Sequence, residues 1–131
     1  MRLALATAIA LAIAIPVDLA VELLAREAFA VSPDFEPFKG TVAPYTAGGV
    51  VFAAVTFAAI RRFSPNADRV YVWLAVVALV LSWIPDVTLL VIHDPGATVP
   101  AVGSLMVMHA LAAGIVVSAL LRLAPPASAT S

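Results

Sequence analysis

The sequence predicts an all-α fold, a four-helix transmembrane bundle whose helices run up-down-up-down. Hydrophobic residues make up 63% of the 131 residues and charged residues only 11%, whereas soluble domains contain about 45–50% and about 25% respectively. Four segments also reach the roughly 20 mostly apolar residues that a helix needs to cross a bilayer. We therefore expect a multi-pass protein whose partner is the lipid bilayer, with a single domain over residues 1–123.

The four predicted spans cover residues 3–25, 42–60, 70–92 and 99–121. The first is longer than the apolar part of a cleaved signal peptide, which has about 7–15 residues, and it contains Asp18 and Glu22, so we interpret it as a true span. The third is almost wholly apolar over residues 71–85. Turn formers and charges fill the connections, which read REAFAVSPDFEPFKGT, RRFSPNADR and HDPGAT.

Two other fold classes fit the sequence less well. A soluble helical bundle requires a polar stripe at a spacing of about 3.6 residues on each helix, and no span has one. A membrane β-barrel requires strands of about ten residues with alternating polarity, and the sequence has no such pattern. Residues 124–131 are small, polar and rich in proline, and they predict a disordered C-terminal tail.

The basic residues predict that both termini are cytoplasmic. Short cytoplasmic loops of membrane proteins are enriched in Lys and Arg. With the N-terminus inside, the inner side has Arg2, Arg61, Arg62, Arg69 and Arg122, and the outer side has Arg26 and Lys39. This distribution favours a cell-membrane protein with both termini inside and with the first and third loops outside.

Polar residues inside the spans concentrate in one layer of the predicted bundle. With a rise of about 1.5 Å per residue, Asp18 and Asp86 reach the outer half of the membrane, and His109 lies near its midplane. A carboxylate facing lipid costs at least ~2.5–3.5 kcal/mol, so we expect both aspartates to turn towards the bundle interior and towards His109. The predicted ligand-binding or proton-sharing residues are Asp18, Glu22, Tyr45, Ser82, Asp86 and His109.

A purely structural interpretation of these residues is also open. Each aspartate follows a proline, Pro16 or Pro85, by one or two positions, and a proline leaves a helical carbonyl group without its usual hydrogen bond. The aspartates could bond the backbone at these positions instead of binding a ligand. His109 could make an interhelical hydrogen bond, and Glu22 could stay at the outer interface beside Arg26.

Several classes of chemistry are not indicated. The absence of cysteine excludes disulfides, iron–sulfur clusters and thiol catalysis. The HxxxH, ExxH and HxH spacings of metal ligands are missing, no serine lies in a nucleophile motif, and Gly48 and Gly49 lie inside a span, not in a phosphate-binding loop. The net charge of -1 does not indicate nucleic-acid binding. We predict no catalytic residue, no metal, no cofactor and no nucleic-acid partner.

Small residues recur at every fourth position on two spans, as Gly49 and Ala53 and as Ala110, Gly114 and Ser118. Such faces let helices approach closely in lipid, where packing replaces the hydrophobic effect. We interpret them first as packing within the bundle. The second interpretation is contact with a membrane partner or a second copy of the chain.

The first loop contains three phenylalanines, Phe29, Phe35 and Phe38. Aromatic residues are frequent where a membrane meets water. We expect these side chains to dip into the outer interface, where the loop could cap the polar layer.

The segment RRFSPNADRVYVWLAVVALVLSWIPD, followed by MHALAAGIVVSALL, resembles a family of small bacterial and archaeal membrane proteins that is a domain of unknown function. In that family an S-x-x-P-D motif in the third helix and an M-H pair in the fourth recur around four spans. The matching residues here are Ser82, Pro85, Asp86, Met108 and His109. The resemblance implies the four-span architecture, draws attention to Asp86 and His109, and assigns no reaction.

Three functions fit these observations. The first is a polytopic membrane protein of unknown activity whose Asp/His pocket binds a small molecule, a lipid or a proton. The alternative is an accessory or assembly subunit of a membrane complex, in which the polar layer is structural. An intramembrane acid–base enzyme, which would need Asp86 or His109 as a proton donor or acceptor, has the least support, and an enzyme is not the expected outcome.

Overall fold

The computed structural model describes residues 1–124, and within them it contains four long helices and no β-strand. The helices are α1 (Arg2–Phe29), α2 (Val42–Phe63), α3 (Ala67–Val91) and α4 (Val99–Leu123), and a 3-10 turn at Glu36–Phe38 lies between α1 and α2. Each helix is long and apolar enough to cross a membrane. The predicted all-α bundle of four helices is therefore confirmed, whereas its orientation in the membrane and its placement in the cell membrane stay predictions.

Local sequence signals account for the helix ends. Thr98 caps α4 by accepting a hydrogen bond from the backbone N–H of Ala101 at 3.3 Å, and a proline in the first turn suits a helix start. At the end of α2, Ser64 is extended because it precedes Pro65. α1 continues to Phe29, four residues beyond the predicted span, and ends at Ala30 in the left-handed conformation.

The antiparallel order of the helices gives the bundle two distinct ends. Residues 30–41 and 92–98 lie at one end, here called the loop end, and Arg2, residues 64–66 and Leu123 lie at the other, here called the terminal end. α1 packs most extensively on α4 and next on α2, while α3 packs mainly on α4. α2 packs only loosely on α3 and on α4, so the bundle is less tight on the side of α2 that faces these two helices.

The core towards the terminal end is built on an alanine face of α1. Ala6, Ala10 and Ala14 recur at every fourth position and are fully buried, which places their backbone close to neighbouring helices. Larger side chains fill the space around this face, among them Val50, Phe57, Val116 and Leu120. The close approach of α1 and α4 thus depends on alanines that the small-residue patterns described above did not include.

Those patterns have a different place in the structure. Gly49 and Gly114 are exposed, and a Cβ atom added to either would meet no atom within 4 Å in the part of the chain that the structure describes. The interpretation that these glycines allow close packing inside the bundle is therefore wrong. Contact with a partner or a second copy through Gly49, Ala53, Ala110, Gly114 and Ser118 stays a prediction.

A second core cluster closes the loop end. Phe35 and Phe38 are fully buried there and pack edge to face, with their ring centroids 5.0 Å apart. The cluster also includes Ala25, Val31, Val42, Ala101, Val102 and Met108. Phe29 is 61% exposed and lies outside it. The first loop is thus folded onto the helix ends through two of its three phenylalanines.

Arg26 links the first loop to α1 through hydrogen bonds. Its guanidinium donates a hydrogen bond to the carboxylate of Glu22 at 3.0 Å and another to the backbone carbonyl of Phe38 at 2.6 Å. Its central carbon also lies 5.8 Å from the centre of the Phe38 ring. Glu22 pairs with Arg26 here, as the structural interpretation of this glutamate expected, and it is not among the residues that line the cavity described below.

Gly96 lies in the loop between α3 and α4 and contacts the loop between α1 and α2. Its φ of +79° disfavours any side chain, and a Cβ atom would lie 2.7 Å from the backbone nitrogen of Phe35. Gly40 has a similar φ of +75° but open space around it. We expect Gly40→Ala to lower the free energy of unfolding by about 1 kcal/mol and Gly96→Ala by about 2–3 kcal/mol, because only the second also overpacks the loop contact. Thermal unfolding in detergent measures both, and equal losses would show that the loops are not in contact.

The predicted tail begins at a residue that is part of the packed structure. Ala124 is buried, and its carbonyl accepts a hydrogen bond from the guanidinium of Arg61. The remaining seven positions of the predicted tail, 125–131, lie outside the described residues.

Candidate functional site

A cavity of about 770 Å³ lies between α2, α3 and α4 and reaches α1 at Asp18. It forms where α2 and α3 pack loosely, and small residues on all three helices leave the space; these are Gly49, Ala53, Ala75, Ala78, Ala112 and Ala113. Its wall extends from Glu36 and Asp94 at the loop end to Tyr71 on the terminal side. The size falls in the range of small-molecule sites, about 300–1,000 Å³.

Asp18 is the most deeply buried carboxylate in the wall of this cavity. Its side chain continues the buried face of α1, four residues after Ala14, and the residue is 3% exposed. Oδ2 accepts a hydrogen bond from the Thr46 hydroxyl at 2.7 Å. Oδ1 is buried and has no hydrogen-bond partner among residues 1–124. One carboxylate oxygen of Asp18 is thus satisfied by α2, and the other is buried without a hydrogen-bond partner among the described residues.

Asp86 lies close to His109 on the neighbouring helix. Oδ2 of Asp86 is 3.0 Å from Nδ1 of His109, and Asp86 is 5% exposed. The two atoms are at ion-pair distance, but their alignment does not make a regular hydrogen bond. His109 lines the cavity, whereas Asp86 does not and lies behind it. His109 is also near enough to interact electrostatically with Asp18.

Neither aspartate bonds the backbone carbonyl that its preceding proline leaves without a donor. The Asp18 side chain contacts Thr46 of α2, and the Asp86 side chain contacts His109 of α4. The interpretation that each aspartate bonds the backbone next to its proline is therefore wrong for Asp18 and for Asp86. Both carboxylates instead face another helix, as the cost of exposing them to lipid requires.

The other predicted residues lie in different parts of the cavity wall. Ser82 lines it, but its hydroxyl donates to the backbone carbonyl of Leu79 at 2.7 Å. Tyr45 is 77% exposed and lies at the edge of the cavity. Four of the six predicted residues, Asp18, Tyr45, Ser82 and His109, therefore share one cavity, while Glu22 and Asp86 lie outside its wall. Whether any of them binds a ligand stays a prediction.

The predicted site did not include four acidic or polar residues of the wall, Glu36, Thr41, Thr46 and Asp94. Thr46 was detectable as a hydroxyl inside a span, but its pairing with Asp18 depends on how α1 and α2 pack. Asp94 and Glu36 come from loops, and nothing in their local sequence marks them. Oδ2 of Asp94 is buried without a hydrogen-bond partner in the described chain. Glu36 pairs with Lys39 at 2.8 Å, and this hydrogen bond raises the pKa of Lys39.

The wall has a clear chemical character. Aromatic and aliphatic side chains cover most of it. Its carboxylic acids are Asp18, Glu36 and Asp94, and His109 is the one basic side chain in the described wall. Among residues 1–124, no three His, Cys, Asp or Glu side chains are grouped so that they could hold a metal ion. The arrangement suits a largely apolar molecule with one charged or polar group near Asp18.

Comparison with known proteins places the chain in a family without assigning it a reaction. No curated protein and no solved structure matches it. A family model described as a family of unknown function, DUF6069, matches residues 1–126, which is nearly the whole chain. This match confirms the resemblance inferred from the motifs in the third and fourth helices, and the chain belongs to the family DUF6069.

Proposed function

We propose that this protein binds a small amphipathic molecule inside the membrane, in the cavity between α2, α3 and α4. The observation that carries the proposal is Asp18, a carboxylate that is 3% exposed and has one buried oxygen without a hydrogen-bond partner among the described residues. A buried polar atom without a partner costs about 1–3 kcal/mol, and more when it is charged. A ligand that bonds Oδ1 of Asp18 would remove this cost.

The cavity is accessible from the side of the bundle. Tyr45 and Phe52 of α2 line it and are 77% and 74% exposed, so the wall between α2 and α3 is not closed by packed side chains. In a bilayer these exposed positions face acyl chains. A molecule with an apolar body can therefore enter from the membrane and place its polar group towards Asp18.

The glycine pair on α2 allows a direct test of cavity binding. Gly49 lines the cavity and neighbouring Gly48 does not, and a Cβ atom at either position meets no described atom within 4 Å. Gly49→Leu should fill the cavity without disturbing the fold, and Gly48→Leu is its matched control, because both changes replace a helical glycine. We expect Gly49→Leu to reduce binding at least tenfold and Gly48→Leu to leave it unchanged.

Binding is measured with the full chain in lipid nanodiscs of phosphatidylglycerol. Three photoreactive probes share a dodecyl chain with a diazirine and differ in their headgroup, which is trimethylammonium, sulfonate or hydroxyl. Crosslinked peptides are identified by mass spectrometry. Saturable labelling of cavity residues by at least one probe, lost in Gly49→Leu and kept in Gly48→Leu, supports the proposal. Absence of labelling by all three, or equal labelling of the two variants, overturns it.

A further inference from the structure

We infer that the molecule bound in this cavity is an amphipathic organic cation, such as an alkylamine in its ammonium form. The inference rests on the proposed function and specifies its ligand class. Its basis is the sign of the charge around the cavity and the position of the unsatisfied oxygen of Asp18.

The charged groups of the wall are predominantly acidic. Asp18, Glu36 and Asp94 contribute carboxyl groups, of which Glu36 is paired with Lys39. Neither Lys nor Arg lines the wall itself within residues 1–124. A cleft lined by one sign of charge with apolar walls concentrates ligands of the opposite sign. An anionic headgroup near Asp18 would lie beside a buried carboxylate with no Lys or Arg in the described wall to balance it, which is costly in an apolar site. The wall therefore favours a net positive ligand.

The basic group of the wall is already engaged. Nδ1 of His109 lies 3.0 Å from Oδ2 of Asp86, a residue outside the cavity wall. Asp18 itself is held by the neutral hydroxyl of Thr46, which supplies no charge. A cation that reaches Oδ1 would give Asp18 a permanent positive charge at close range, which the Thr46 hydroxyl does not supply.

The acids are arranged along the cavity. Glu36 and Asp94 belong to the loop end, whereas Asp18 lies deeper on α1. Oδ2 of Asp94 is buried and, like Oδ1 of Asp18, has no partner among the described residues. A positively charged headgroup that enters near the loop end thus passes the carboxylate of Asp94 before it reaches that of Asp18.

The remaining wall suits an organic cation better than a metal ion. Aromatic side chains of Tyr45, Phe52 and Tyr71 line the cavity, and aromatic faces attract ammonium groups. Hard metal ions prefer six or more oxygen ligands, whereas no described group of three acidic or histidine side chains is available. A volume of about 770 Å³ also leaves room for an alkyl or aryl body next to the charge.

The three-probe experiment tests this inference separately from the proposed function. In the wild-type protein we expect the trimethylammonium probe to label the cavity at least tenfold more strongly than the sulfonate probe and more strongly than the hydroxyl probe. Asp18→Asn keeps the shape and the Thr46 contact but removes the charge, and it should abolish this preference. Glu22→Gln is the control, because Glu22 is paired with Arg26 and lies outside the wall.

The outcomes distinguish the cation inference from the proposal that the cavity binds a ligand. If all probes label the cavity equally, or if Asp18→Asn keeps the preference for trimethylammonium, cavity binding stands and the cation inference is overturned. If no probe labels the cavity, the proposed function fails as well. Adding phosphatidylethanolamine to the nanodiscs distinguishes a free amine from a lipid amine. Unchanged labelling supports a free amphipathic amine, whereas suppressed labelling shows that a zwitterionic lipid of no net charge occupies the site and contradicts a net positive ligand.

Discussion

Replacing Phe35 with alanine is expected to lower the free energy of unfolding by about 3–5 kcal/mol. Phe35 has no exposed surface, packs edge to face on Phe38, and lies in the cluster that closes the loop end of the bundle. Its backbone also lies against the turn that contains Gly96, so the surroundings cannot easily move in to fill the void. A void that does not collapse adds to the lost contacts of the removed ring.

Chemical or thermal unfolding of the protein in detergent measures this loss, with circular dichroism as the signal. Phe29→Ala is the matched control: the residue belongs to the same part of the chain but is 61% exposed, and we expect a change within about 0.5 kcal/mol. Comparable losses for the two variants would contradict the packed loop end. Because Glu36 and Pro37 of the same turn line the cavity, Phe35→Ala should also weaken labelling of the cavity by the probes.

The helices could be predicted because their signal is local. A run of about 20 apolar residues and the turn formers that flank it determine where a span lies, and all four spans appear as helices. The burial of Asp18 and Asp86 was predictable for a related reason. A carboxylate in a span has to avoid lipid, whatever the neighbouring helices are, and both residues are nearly fully buried.

The contacts between helices were not predictable to the same extent. The spacing of Gly49 and Gly114 shows only that a helix could approach there, and within the described residues none does. The helices instead meet at the alanines of α1, whose pattern does not stand out in a span rich in alanine. Likewise, Phe29 and Phe35 belong to the same part of the chain but have opposite exposure, because the path of the loop decides which side chain is buried.

The candidate site shows the same division. The position of each polar residue along its span predicted that Asp18, Asp86 and His109 lie at a similar depth and face one another. In the structure, Oδ2 of Asp86 and Nδ1 of His109 are 3.0 Å apart. The cavity itself depends on the loose packing between α2 and α3, and Asp94 enters it from a loop. Both are consequences of tertiary arrangement, which one sequence does not encode in any short pattern.

Removing His109 is the second change with a large expected effect. In His109→Ala, Asp86, which is 5% exposed in the wild-type protein, loses the imidazole that lies 3.0 Å from its Oδ2. Breaking a buried ion pair by removing one partner costs about 3–5 kcal/mol. We expect about 3 kcal/mol, at the lower end of this range, because the His109 side chain is 40% exposed. Unfolding in detergent measures the loss.

A double variant separates the pair from simple loss of packing. Asp86→Asn removes the charge and keeps the shape, so adding it to His109→Ala should recover at least half of the lost stability, because the buried group is no longer an uncompensated carboxylate. Strictly additive losses would instead mean that the two residues act independently and that His109 matters only by its volume. The double variant also tests the origin of the cation preference. We expect it to label more strongly with the trimethylammonium probe than with the sulfonate probe, as the wild-type protein does, because the charge that attracts this probe belongs to Asp18.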